Sequence, residues 1–208
     1  MDQNNNFQNL IQYFEEFPGV GARQAKRFTY FLMNKNNFFI KDFTETILNL
    51  KQVSKQCGSC MRFYFGDATF CSICSSTERN QNQLMIVEKD QDVDSFEKTK
   101  SYSGKYFVLG RLLSLISKEE IKMARLTPLF EKLEQSVLST DTSLNIEEII
   151  LAFSSTPNGN FTDSYMRQEI SRNFPTVQIK SLGRGFATGS DPEYADNETL
   201  SLALKNRA

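Results

Sequence analysis

The 208-residue sequence contains no histidine and no tryptophan, and only five prolines and four cysteines. Without histidine there is no imidazole base, no histidine-ligated metal and no Ser-His or Cys-His nucleophile pair, so the reaction classes built on them are excluded. Long apolar runs are missing too. No stretch approaches the ~18 consecutive apolar residues of a membrane span, and the opening MDQNNNFQNL has neither the basic nor the apolar region of a secretory leader. The sequence therefore reads as cytoplasmic with no membrane contact, and in a reducing compartment four cysteines are expected to be metal ligands rather than disulfides.

What is present is a soluble, globular composition: 39% hydrophobic residues and 24 Lys+Arg against 25 Asp+Glu, a formal net charge of -1. At roughly 100–200 residues per domain, the length allows one large domain or two small ones. The 18 phenylalanines are read as compositional bias. Charge is unevenly placed. From Phe17 to Phe65 eight basic residues face two acids, a local +6, which leaves -7 for the rest. A basic N-terminal part on an acidic remainder points to a polyanion-facing end, with an ordinary solvated surface as the alternative.

Phe7, Leu10, Ile11 and Phe14 follow helical spacing before the breaker Pro18-Gly19, and Ala25, Phe28 and Leu32 repeat it from Ala22 to Met33. The two runs predict a helical hairpin joined by FPGVG, with a third helix over Asp42 to Leu50. Farther on, Leu84 to Val87, Tyr106 to Leu109 and Ile149 to Phe153 read as short buried strands separated by helical patterns. Together they predict an α/β module with an open, mainly parallel sheet. The polar tract Asn80 to Gln83 is expected to be the link leading into it.

Three motifs carry chemistry. In FPGVG, Gly19 and Gly21 allow close approach of a ligand to the backbone, and the following helix offers unpaired amides at its start. Arg23 and Arg27 stand one helical turn apart opposite the apolar face, with Lys26 beside them. Amides and cations can thus meet a phosphodiester without reading its sequence, making Gly19, Gly21, Arg23, Lys26 and Arg27 the candidate DNA-binding residues. A Pro-Gly turn that binds nothing is the bland alternative.

Cys57-x2-Cys60 and Cys71-x2-Cys74 form two knuckles separated by ten residues. Two such pairs complete a tetrahedral thiolate shell for one structural Zn2+ per chain, with no open ligand position. A redox dithiol and unrelated core cysteines are the other readings. Glu88 closes the first strand, and Asp90, Asp92 and Asp94 follow it. A calcium loop fails there, because Ser95 and Ser101 occupy its glycine and closing-glutamate positions, so the acids are expected in the first turn of a helix. The glycine-rich LGRGFATGSDPEYADNETL lacks the Gly-Lys-Ser/Thr ending of a phosphate loop; a helix is expected over Leu200 to Leu204.

The order of these pieces resembles the RecR family of bacterial recombination mediators over essentially the whole chain. FPGVGARQAKRF resembles its helix-hairpin-helix, Cys57 to Cys74 its zinc finger, Glu88 to Asn160 its Toprim core, and EYAD its closing motif. The resemblance implies a DNA-binding domain at 1–54, a zinc finger at 55–79, a Toprim-like α/β domain at 80–175 and a closing segment at 176–208. It further implies a homotetrameric ring that clamps DNA, with RecO, and in some lineages RecF, as partners in loading RecA onto single-stranded DNA.

Toprim enzymes hold Mg2+ with a strand-end glutamate and an Asp-x-Asp after a later strand. Glu88 matches the first, as a vestigial acid, but Ser154-Ser155-Thr156 stands where the second belongs, so no catalytic residue is assigned and no enzymatic activity is expected. Where relatives commonly carry glutamate beside the loop glycine, Gly159 here lies between Asn158 and Asn160. Two rivals remain: a Mg2+-dependent nuclease or topoisomerase-like enzyme using Glu88 with Asp92 or Asp191, and a zinc-ribbon adaptor without DNA affinity.

Overall fold

The computed structural model describes residues 3–114, 124–138, 145–183, 189, 191–195 and 197–205. The chain forms two compact units, Met1–Ser54 and Lys55–Ala208.

The first unit is helical: α1 (Gln3–Glu15), α2 (Ala22–Met33) and α3 (Asn37–Val53). The expected apolar stripes hold α1 against α2. Phe7 meets Tyr30 with ring centroids 5.4 Å apart, and Phe14 meets Phe28 edge-on at 5.5 Å. Ala25 and Thr29 are the buried residues of α2, and none of α3 is buried. Asn36 caps α3 by accepting from Phe39 N at 2.8 Å, which starts the helix five residues before the expected start at Asp42.

The second unit opens with a two-stranded ribbon, β1 (Ser54–Gln56) and β2 (Phe63–Phe65), and the short helix α4 (Ser72–Ser75). Then follow β3 (Asn80–Val87), α5 (Asp90–Thr99), β4 (Gly104–Val108), α6 (Leu126–Leu138), β5 (Glu148–Ala152), α7 (Pro157–Asn173), β6 (Gln178–Ser181), a 3-10 turn at Pro192–Tyr194 and α8 (Asn197–Lys205). The sheet order is β4-β3-β5-β6, and every pairing is parallel. One face packs Leu84, Ile86, Phe107, Ile149 and Leu151 against α6 and α7 through Leu129, Leu133, Met166 and Ile170. The other packs Met85, Val87, Tyr106 and Val108 against Val93 of α5 and against Cys57, Cys60, Cys71 and Ile73.

Two expectations change. Asn80 to Gln83 is the first half of β3 and not a link; its polar side chains are usable because Gln83 donates to Glu148 Oε2 at 2.5 Å and Asn82 to the Asn145 carbonyl at 2.7 Å. The edge strand β6 is an addition to the expected sheet, since Gln178–Ser181 has one apolar residue in four and an exposed outer edge. Among the described residues, no helix is long and apolar enough to cross a membrane.

Candidate metal centre and nucleic-acid interface

In the first knuckle Cys57 N donates to Arg62 O at 2.8 Å and Met61 N to Cys57 O at 2.9 Å, with Met61 in the left-handed region at φ 61°. In the second, Cys71 is the N-cap of α4 and Cys74 lies within that helix. The four Sγ atoms all lie within 4.8 Å of one another, and Cys60 and Cys71 approach to 3.6 Å. Tetrahedral Zn2+ with sulfurs at about 2.3 Å sets them about 3.8 Å apart, so the cluster fits a tetrathiolate ion. The thiols act strongly on one another. Hydrogen bonding to Cys71 and Cys74, together with burial, pushes the Cys60 thiol far up, while the bonds Cys71 accepts from Cys60 and Cys74 hold it far down. Three buried cysteines and the half-buried Cys74, at this spacing, carry several thiolate charges only with a cation among them.

Three cations to which the sequence assigns no role fix the centre to the sheet module. Lys105 of β4, buried, donates to the carbonyls of Ile73, Cys74 and Ser76. Arg125 donates to Met61 O at 2.7 Å and Val108 O at 3.2 Å, and Lys132 of α6 to Ser59 Oγ at 2.8 Å. Val108 N adds a bond to Cys60 O at 2.8 Å. The available signal was Lys105 itself, a charge inside the fully buried run Gly104–Val108.

The acids after Glu88 have structural duties. Asp90 accepts from Phe63 N at 2.8 Å, Asp92 accepts from Lys89 N at 2.9 Å at the start of α5, and Asp94 pairs with Arg62. They occupy the start of α5, as their position before a helix suggested. Glu88, half-buried, follows Val87, whose register partner on β5 is Ala152; Glu88 and the Ser154–Thr156 loop thus share the carboxyl edge of the sheet. That loop is bound up in its own helix: Thr156 Oγ1 accepts from Gly159 N at 3.1 Å and lies 3.0 Å from Ser154 Oγ. A side chain at position 159 would place Cβ 1.9 Å from Ser154 O, so the glycine there serves packing. Among the described residues the cysteines are the one cluster of three or more metal-ligating side chains. Asp191 and Glu193 are exposed, while residues 184–188, 190 and 196 of the glycine-rich stretch lie outside the described residues.

In the first unit, Gly19 has φ +78°, a conformation that favours glycine, whereas Gly21 is the extended N-cap of α2 at φ -94° and needs no such freedom. Nothing lies within 4 Å of a Cβ built on either, so neither glycine is explained by internal packing. Gln24 N and Ala25 N donate to Gly21 O and no side chain caps α2, which leaves the amides of Ala22 and Arg23 without intrahelical acceptors. Arg23, Lys26 and Arg27 are all exposed on that helix; Arg27 Nη1 touches Gln24 Oε1 at 3.3 Å.

Residues 82–180 match the family described as Toprim domain. Among curated proteins, the chain is 31% identical over 198 residues to "Recombination protein RecR" of Prochlorococcus marinus (strain MIT 9312), covering 95% of this chain and 93% of that one. It is also 31% identical over 206 residues to the protein of the same name from Brachyspira hyodysenteriae, covering 98% of each. The Parasynechococcus marenigrum protein of that name is 31% identical over 198 residues, 95% of this chain and 96% of that one. With a parallel sheet bearing the Toprim match, a four-cysteine cluster docked on it, and such likeness along nearly the full length, the chain belongs to the RecR family.

Proposed function

We propose that this protein is a non-enzymatic DNA-binding mediator of recombinational repair, which as a homotetrameric ring works with RecO, and with RecF where present, to help load RecA onto single-stranded DNA in the cytoplasm. The observation that carries the reading is the start of α2: uncapped amides after Gly21, no packing against Gly19 or Gly21, and exposed Arg23, Lys26 and Arg27 within two turns. Amide donors orient a phosphate, and the guanidinium and ammonium groups neutralise it; neither distinguishes bases, so the grip slides over any sequence. Relatives named as recombination proteins support the process in which such a grip would act.

Cys57, Cys60, Cys71 and Cys74 would hold Zn2+, which supplies a cross-link between two knuckles and no open coordination position. Lys105, Arg125 and Lys132 transmit that rigidity to the sheet. The thin core of the first unit, where Tyr13, Met33, Phe38 and Leu48 are more than 60% exposed, favours assembly into an oligomer.

The enzyme reading is disfavoured by the fate of its acids: Asp92 caps α5, and hydroxyls beside Gly159 replace the later carboxylates. One glutamate does not build a two-metal clamp. Incubating the protein with supercoiled and nicked DNA in Mg2+ and in Mn2+ tests this: neither cleavage nor relaxation is expected, and divalent-dependent activity abolished by Glu88→Gln would replace the mediator with an enzyme.

A further inference from the structure

The ribbon of the second unit and the loop after it carry three exposed phenylalanines outside both core clusters. Phe63 and Phe65 lie two apart on β2, so strand geometry sends both to one face while Tyr64 turns inward and packs beside the cysteine cluster. Phe70 follows on the way to the second knuckle. The three are 47%, 64% and 44% exposed, and none belongs to either core cluster.

Cations flank them, balanced by acids. The Arg125 guanidinium sits 5.9 Å from the centroid of Phe63, Arg62 precedes that ring, and Lys55 is exposed on β1. Three carboxylates stand beside them: Asp67, 3.7 Å from Lys55, Asp94, paired with Arg62, whose buried Nε has no acceptor, and Asp90, which accepts from Phe63 N at 2.8 Å.

We propose that this outer face is a stacking platform for unpaired nucleotides. Exposed rings flanked by cations on a rigid ribbon are how proteins hold single strands without reading sequence, since every base offers a π-face. Residues two apart on a strand are about 6.6 Å apart, close to twice the ~3.4 Å rise per nucleotide, so Phe63 and Phe65 suit alternate bases. A duplex hides its base faces, so the platform engages single strands alone. This rests on the DNA-binding reading above and adds to it the strand form and a second contact surface.

The test compares the zinc-loaded full-length protein with Phe63→Leu/Phe65→Leu, titrated with a fluorescent oligothymidylate and with a duplex of equal length at fixed salt. The double variant should bind the oligothymidylate at least about tenfold more weakly and the duplex within twofold of wild type, with unchanged zinc content and thermal midpoint. Phe63→Tyr/Phe65→Tyr should restore the single-strand affinity. Unchanged single-strand binding in the folded leucine variant, with wild type binding normally, overturns the platform and leaves the DNA reading intact. Equal loss on both DNA forms with a lower mass by light scattering makes the face a seat for a second copy and likewise overturns it. Wild type that binds neither form overturns the DNA reading and the platform together.

Discussion

Lys105 Nζ donates to the carbonyl oxygen of Cys74 at 3.0 Å, and the same ammonium reaches Ile73 O at 2.9 Å and Ser76 O at 2.7 Å. A strand of the sheet thereby closes the end of the helix that carries the fourth cysteine. Burial lowers the pKa of this lysine, so the arrangement costs desolvation, which the three carbonyls offset.

Replacing Lys105 with methionine keeps most of the stem and removes the donors. Three carbonyls then go without their partner, and stability should fall by about 1–3 kcal/mol in denaturant unfolding. Metal loss to a chelator should quicken as well, because α4 is no longer held against β4. A variant as stable and as slow to release metal as wild type would show that the ammonium contributes nothing to the centre.

Protein purified without chelator should contain about one Zn2+ per chain by elemental analysis. Cys57→Ser or Cys74→Ser should yield little soluble folded protein, because Cys57, Cys60 and Cys71 share a core with Met85, Val87 and Tyr106 and metal-binding energy is folding energy here. Protein that is fully folded and metal-free would contradict this.

Glu148 ties three strands together: it accepts from Gln83 of β3 and pairs with Lys180 of β6 at 2.5 Å. Lys180 holds its carboxyl below the usual value of 4.5, against the opposing effect of burial and with help from Gln83. A carboxyl lowered in the folded state contributes stability that is present above its unfolded pKa and lost as pH falls through the folded one. Glu148→Gln should therefore cost about 0.5–1 kcal/mol at neutral pH, modest because Lys180 is largely exposed, and the difference from wild type should vanish at acid pH. A difference independent of pH would assign the effect to packing instead.

The pieces legible in the sequence were those whose physics is local. Helical spacing located α1 and α2, apolar runs located three strands, and two Cys-x2-Cys pairs located the cluster. What escaped depends on partners distant in sequence. Asn80 to Gln83 looks like a linker until Glu148 and Asn145 are beside it. β6 lacks an apolar run because it is an edge, and Arg125 and Lys132 look like ordinary surface cations until the knuckle carbonyl of Met61 and the hydroxyl of Ser59 are found against them. Gly21 looks like a residue that needs glycine's freedom, yet its backbone is extended; its merit is the absence of a side chain at the start of α2.

The central claim is a phosphate grip at the start of α2, and the most direct measurement is DNA affinity over a salt series for wild type and Arg23→Glu/Arg27→Glu. Both side chains are exposed, so the variant should keep its fold and its zinc. Binding should weaken by a similar factor for every sequence, and log K against log salt should flatten by about 0.7–0.9 for each phosphate no longer neutralised, more in an oligomer where several subunits contribute. Lys26→Glu alone should do less, since that residue lies about 100° around the helix from Arg27. A folded double variant with unchanged affinity and unchanged salt slope would contradict the account and place DNA, if it binds at all, on another surface.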